Sequence, residues 1–283
     1  MKFGVNTWVW TAPLTTEELE VLAPKIAKMG FNHIEIPVDD PKTLDFKKCA
    51  EIINKAGITS ISVCAAMSPD RDLIDPDPKV RQNGVEYLKA CIDGLTVVGG
   101  KNIVGPFYSA VGRTWQQSAE EREHDMKILV DILKDISDYA GKKGVVLGLE
   151  PINRFETSFI NTADQAIELV DRVNNPACKI MLDTFHMNIE ENSLGDAIRK
   201  VGPRLLQVHS NENNRGTPGA GHVPWKEVAQ ALKDIKFDGV LVIESFTSKV
   251  KSIARAAAIW RPLASSQDAL AADGVVFLQD LMK

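Results

Sequence analysis

The sequence predicts an α/β fold, a single closed (β/α)8 TIM barrel over residues 1–283. Short β-rich runs alternate with longer amphipathic segments along the whole chain, and there are eight of them. No GxGxxG follows the first run, which argues against an open dinucleotide-binding sheet. No Pro/Gly/Ser-rich stretch divides the chain, and although 283 residues alone leave one or two domains open, that length is ordinary for such a barrel.

The strands are read in order as "FGVNTWV" at 3–9, "HIEIP" at 33–37, "TSISVCA" at 59–65 and "NIVGP" at 102–106. They continue as "VVLGLE" at 145–150, "KIMLD" at 179–183, "LLQVHS" at 205–210 and "VLVIES" at 240–245. Between them, "TTEELEVLAPKIAKMG" and "MKILVDILKDISDYAGKKG" place apolar residues every three or four positions and close on Gly, the pattern of amphipathic helices. The first opens on Thr16, read as an N-cap ahead of the acidic "EELE". After Trp260 the tail reads as a loop and then a closing helix at about 264–283. Right-handed crossovers return each strand beside its predecessor, so eight βα units close on themselves.

Composition narrows the function. A formal net charge of -5 makes a poor collector of phosphate backbone, so nucleic acid is not the expected partner. Four scattered cysteines without a CxxC pair offer neither a thiolate zinc site nor a disulfide framework, and a reducing cytoplasm fits them best. The N-terminal "MKFGVNTWVWTAPL" fails as a signal peptide, and no apolar run reaches the roughly 20 residues of a membrane span.

In a parallel barrel the chemistry collects where strands end. Strand five ends in Glu150, strand six in Asp183, strand seven in His209 and strand eight in Glu244. Period-two alternation puts Glu150 on the face of Gly148 and Val146, and Glu244 on that of Val242 and Val240, so all four side chains can share one mouth. Three carboxylates converging in a partly buried place repel one another unless a cation neutralises them. One acid at a strand end is commonly a loop hydrogen-bonder or an N-cap; polar ends on four consecutive strands point instead to a metal. Oxygen ligands with one imidazole suit a divalent ion such as Mn²⁺, Mg²⁺ or Co²⁺.

The loops add candidate substrate contacts. His186 follows Asp183, Glu156 lies in "EPINRFE", and Glu212 and Arg215 lie in "HSNENNRG". Arg and His beside a metal can hold the oxygens of a polyol, although Arg215 reads equally well as a surface salt bridge. Glu35, near the end of strand two, reads equally as a site residue and as a structural hydrogen-bonder. His33, His124 and His222 read as structural, Glu190 and Glu191 as the start of the next helix, and Trp225 and Trp260 as core or interface residues.

With these residues in view, "NRFE" at 153–156, "LDTFHMNIEE" at 182–191, "NR" at 214–215, "PW" at 224–225 and "WR" at 260–261 make the chain resemble the ketose 3-epimerases. That D-tagatose and D-psicose 3-epimerase group is part of the xylose isomerase-like barrels, and the likeness spans essentially the whole chain. The resemblance implies an isomerase dependent on Mn²⁺ or Co²⁺, with Glu150, Asp183, His209 and Glu244 as metal ligands and Glu150 and Glu244 as the acid/base pair. It also implies substrate binding by Glu156, His186 and Arg215, a free ketose as the small-molecule substrate, and a homodimer or homotetramer. The departures lie around the sugar's far end. Asn6 and Leu14 stand where relatives tend to carry aromatic residues, "SNEN" follows His209, and Pro262 follows "WR". A pentulose such as L-ribulose, or a ketohexose with altered preference, fits these departures. The rival readings are an aldose–ketose isomerase on the same metal, a barrel DNA-repair nuclease and a catalytically silent sugar-binding protein.

Overall fold

The computed structural model describes residues 1–283. Eight strands form one closed barrel in sequence order: β1 (Lys2–Asn6), β2 (His33–Pro37), β3 (Ser60–Cys64), β4 (Asn102–Gly105), β5 (Val146–Leu149), β6 (Cys178–Asp183), β7 (Leu205–His209) and β8 (Val240–Ile243). Every pairing is parallel, and β1 closes on β8 with Lys2 opposite Val240 and Val5 opposite Ile243. Parallel strands covered by helices are buried on both faces, which is why Val, Ile and Leu dominate these short runs.

Six strands are slightly shorter than the runs that predict them, β2 matches its run, and β6 begins one residue earlier, at Cys178. In the first, Asn6 ends the strand because its side chain accepts a hydrogen bond from Trp8 N at 2.9 Å and opens a 3-10 turn over Thr7–Val9. Glu150 and Glu244 consequently stand one residue beyond β5 and β8, at the mouth itself. Gly105 at the end of β4 has φ +127°, and a Cβ there would lie 2.2 Å from the Ala65 carbonyl oxygen, so only glycine lets the chain leave the strand at that point.

The helix Thr16–Lys28 is capped by Thr15 rather than by Thr16. Thr15 Oγ1 accepts from Glu18 N at 3.2 Å and Glu18 Oε2 accepts from Thr15 N at 3.0 Å, a reciprocal box that needs the acid three residues on. Thr16 is already helical, and its hydroxyl accepts from Asp45 N at 3.1 Å. Ser118 builds the same box with Glu121 at the helix Ala119–Lys142, and at Ala163–Val173 Thr162 builds its counterpart with the amide of Gln165.

Glu190 and Glu191 do not start a helix: Glu190 ends the short helix Thr184–Glu190 with Glu191 as its C-cap, and the following helix begins at Leu194 under a Ser193 cap. Glu190 instead pairs with Arg154 at 3.0 Å, and Glu191 accepts from Ala163 N at 2.7 Å, facing the N-terminus of a different helix. The final helix, Gln267–Leu281, lies against the barrel, with Phe277 edge-on to buried Trp225 at a centroid separation of 5.6 Å. Trp260, by contrast, is 74% exposed. All four cysteines are free and buried, and no helix is long and apolar enough to cross a membrane.

Candidate metal centre at the barrel mouth

Register brings the first two candidates together. Asp183 and His209 are directly opposed on β6 and β7, and His209 is opposite Val242, two residues before Glu244. Asn211 ties the three strand ends: its backbone N–H donates to Thr184 Oγ1 at 2.8 Å, its Nδ2 to Asp183 Oδ2 at 2.9 Å, and its Oδ1 accepts from Glu244 N at 2.7 Å. Glu150, Asp183, His209 and Glu244 are all buried.

Ligand-capable atoms of Glu150, Asp183 and His209 lie within 4.8 Å of one another, and Glu244 Oε2 is 3.5 Å from His209 Nδ1. Two of these atoms, Glu150 Oε1 and His209 Nδ1, are buried with no hydrogen-bond partner. A buried polar atom without a partner is costly, so two of them at one place mark a position where a cation could be held. His209 is correctly presented for that role, because its other nitrogen, Nε2, meets Glu35 Oε1 at 2.8 Å and turns Nδ1 toward the three acids. Burial lowers the His209 pKa, but the Glu35 and Glu244 carboxylates outweigh burial and hold the ring protonated well above the usual imidazole value, so a cation would take the place of the Nδ1 proton.

Charges in this space are strongly coupled. Burial, with the neighbouring Glu244 and Asp183 charges, holds the Glu150 carboxyl well above the ordinary carboxylate range, against the pull of His209 and Arg215. Glu244 is shifted the other way: burial raises it, but His209 and Arg215 outweigh burial and bring it below its usual value. Burial also raises Asp183, although Arg215 opposes it. Glu35 is desolvated too, yet its contacts with His209 and Ser62 bring it down to about 2.

The three residues expected near the metal are brought to the same place, with His186 on the short helix Thr184–Glu190 rather than in a loop. Arg215 is buried, not a surface residue, and its Nη1 donates to Asp183 Oδ2 at 2.6 Å and Glu244 Oε2 at 2.9 Å. Its guanidinium stacks 4.1 Å from the Phe185 ring centroid. His186 Nδ1 faces the Asn153 backbone N–H at 3.1 Å, and its Nε2 lies 3.2 Å from Arg215 Nη2 and 3.6 Å from Glu150 Oε1. Burial, then the Arg215 and His209 charges, push the His186 pKa well below the usual imidazole value and keep it neutral. Asn153 Nδ2 also donates to Glu156 Oε1 at 2.8 Å, which sets Glu156 beside His186.

Glu212 is not in the cavity. Its carboxylate turns away to accept from Trp225 Nε1, Gly219 N and Val223 N, each at 2.9 Å, and so ties down the loop that follows β7. His33 is structural, bonded to Ser60 and Ser62 at 2.9 and 2.8 Å, and burial brings its pKa down to about 4.

Glu150, Glu156, His186, Arg215 and Glu244 line a cavity of about 280 Å³ whose other walls include Trp8, Phe185 and Phe246. That volume suits a small polar molecule better than a nucleic-acid strand. A larger groove of about 670 Å³, lined by Arg81, Arg113 and Trp115 among others, contains none of the candidate residues. Asn6 and Leu14 are buried, and Asn6 Nδ2 is bound to Glu35 at 2.9 Å. The aromatic wall comes from Trp8, whose ring lies 5.7 Å from that of Phe246. Sequence reasoning missed Trp8, Asn211 and Asn153. Trp8 is hidden in a run that reads as strand, whereas the two asparagines follow strand ends and so lie in segments already singled out.

Fold and site together define a barrel that gathers acidic strand tips around a cation-sized position, and the model of the xylose isomerase-like TIM barrel family matches residues 23–278, so the chain belongs to that family. Within it, the chain is similar to ketose 3-epimerases. It is 32% identical to the ketose 3-epimerase of Arthrobacter globiformis over 99% of this chain and 96% of that one, and 29% identical to the L-ribulose 3-epimerase of Methylomonas sp. over 99% and 97%. Among solved structures, a D-allulose 3-epimerase from Methylomonas sp. superposes with a TM-score of 0.94 at 29% identity, covering 99% of this chain and 98% of the other.

Proposed function

We propose that this chain is an isomerase that inverts C3 of free ketoses, of the psicose, tagatose, fructose or ribulose type, by removing the C3 proton and returning one to the opposite face. The observation that carries the reading is the pair of unpartnered buried atoms, Glu150 Oε1 and His209 Nδ1, set beside Asp183 in a chain whose full-length relatives are ketose 3-epimerases. The donor set is rich in oxygen with one imidazole and no thiolate, which favours Mn²⁺, with Co²⁺ and Mg²⁺ as alternatives. Glu150, Asp183, His209 and Glu244 would hold such an ion, and it would supply Lewis acidity for negative charge developing beside C3.

The remaining work falls to this chain's own groups. Glu150 and Glu244 are the proposed acid/base pair: one carboxylate takes the C3 proton, a planar cis-enediolate results, and the other carboxyl delivers a proton from the opposite side. Reversal of the reaction exchanges their roles. Neutral His186 presents its ring edge to the sugar hydroxyls, Arg215 offers charged donors, and Glu156 accepts from a hydroxyl. Trp8, Phe185 and Phe246 keep water from the reacting carbon.

Residues 1–283 are proposed to act as one barrel unit in the cytoplasm, as a homodimer or homotetramer. Exposed Phe155 and Trp115 on adjoining loops, joined by Ser158 Oγ donating to the Trp115 carbonyl at 2.7 Å, support the association. The reaction is tested by incubating protein, Mn²⁺ and D-psicose in deuterated water and locating the label by NMR. Deuterium at C3 is expected. Deuterium at C1 would identify an aldose–ketose isomerase instead, and no incorporation into any ketose of a hexulose and pentulose panel would sink both.

A further inference from the structure

Beneath the mouth, the barrel interior carries a further acidic residue that holds no place in the reaction above. Glu35 is fully buried and accepts four hydrogen bonds, two on each oxygen. Asn6 Nδ2 and His209 Nε2 reach Oε1 at 2.9 and 2.8 Å, while Ser62 Oγ and Gln207 Nε2 reach Oε2 at 2.7 and 2.5 Å. The donors come from β1, β3 and β7, so the carboxylate joins strands on both sides of its own. With its acceptor capacity filled, Glu35 is ill suited to ligate a cation, even though Cys64 and Glu244 are close by.

The direction of each bond in this network is fixed. Ser62 gives its proton to Glu35, so it accepts from His33 Nε2 at 2.8 Å. His33 then carries its proton on Nε2 and accepts at Nδ1 from Ser60 Oγ at 2.9 Å, and Ser60 in turn accepts from Lys2 Nζ at 3.1 Å. The chain of donors runs Lys2, Ser60, His33, Ser62 and ends on Glu35. From the other side His209 can only donate to it. A carboxylate that is held as an acceptor on every side therefore dictates which nitrogen of His209 bears hydrogen.

We propose that Glu35 is a positioning residue for the metal centre: it locks His209 in the Nε2–H tautomer, fixes the plane of the ring, and so presents the Nδ1 lone pair to the cation. This rests on the reading of His209 as a metal ligand. The effect is transmitted through the imidazole, and the network from Lys2 to Ser62 keeps the carboxylate in register with it.

The test is Glu35→Gln, which keeps the shape, removes the charge and turns one acceptor into a donor. Mn²⁺ affinity is measured by competition with a fluorescent chelator at a temperature where circular dichroism shows both proteins folded. In parallel, ¹⁵N NMR of histidine-labelled protein without metal, at a pH high enough for the His209 ring to be neutral, reads its tautomer. Mn²⁺ affinity is expected to fall roughly 10- to 100-fold, with the single Nε2–H tautomer replaced by a mixture. Affinity within about threefold of wild type, with one tautomer retained, would overturn the proposal and leave Glu35 a purely structural hub. Should Glu35→Gln fail to fold, Ser62→Ala removes a single donor. It is expected to weaken Mn²⁺ binding by up to about tenfold, and unchanged binding with one tautomer retained would overturn the proposal. Because Mn²⁺ binding is read without a sugar, weakened binding in the variant supports the positioning role even if the wild-type protein moves no label at C3, a result that would sink only the reaction.

Discussion

Arg215 and Asp183 are joined by a 2.6 Å hydrogen bond at the centre of the mouth, and the same Arg215 nitrogen reaches Glu244 at 2.9 Å. Arg215 adopts φ 63°, a left-handed backbone that a long side chain seldom takes. The strain is offset locally: the Arg215 carbonyl accepts from Ser245 Oγ at 2.6 Å and the guanidinium lies between Phe185 and Phe246, 4.1 and 5.3 Å from their centroids. The loop after β7 is bent so that one fixed positive charge sits among the acids proposed to bind the metal.

Removing that charge should therefore matter most where no cation replaces it. In EDTA-treated protein, Arg215→Ala is expected to cost about 3–5 kcal/mol, because it leaves buried carboxylates uncompensated. Saturating Mn²⁺ should recover much of that loss. Urea denaturation with and without the metal checks this, and equal losses in both conditions would count against it. Activity on a ketose should fall roughly 10- to 100-fold from the lost charged donor.

Glu150→Gln and Glu244→Gln each remove a proton-transfer group while preserving shape. Either change is expected to lower turnover by at least roughly 10² to 10⁴, with the far-ultraviolet spectrum of the barrel intact. A variant that kept full kcat with D-psicose would remove its residue from the acid/base role.

Glu212 supplies a pH dependence away from the mouth. Its burial raises the pKa, but donation from Trp225, Val223, Asn213 and Gly219 outweighs burial and holds the carboxyl below its usual value. A depressed folded pKa contributes stability above the unfolded value of about 4.3, and that contribution is lost as pH falls through the folded value. Glu212→Gln should cost about 1–3 kcal/mol at pH 7, and the gap to wild type should narrow on acidification below about pH 4. Urea midpoints at both pH values test the sign. A gap that widened in acid would contradict it.

The architecture was legible because each strand is a short apolar run bounded by polar residues, and because Glu150, Asp183, His209 and Glu244 stand where four such runs end. The pairing of Asp183 opposite His209 follows from parallel register once those ends are known. What spacing could not give is the direction of side chains in loops. Glu212 and Arg215 lie three residues apart in one polar stretch, yet one turns to Trp225 and the other to Asp183. Glu35 was equally ambiguous, since its role depends on Gln207 and His209, more than 170 residues away in sequence. Thr15 displaced Thr16 as a cap because the box is decided by where Glu18 can reach back.

Anomalous diffraction from crystals soaked in Mn²⁺ tests the metal centre most directly. A single strong peak bonded to Glu150, Asp183, Glu244 and His209 Nδ1 is expected, with Glu35 outside the coordination sphere and still bound to His209 Nε2. A peak held by other residues, or no peak at saturating Mn²⁺, would contradict it.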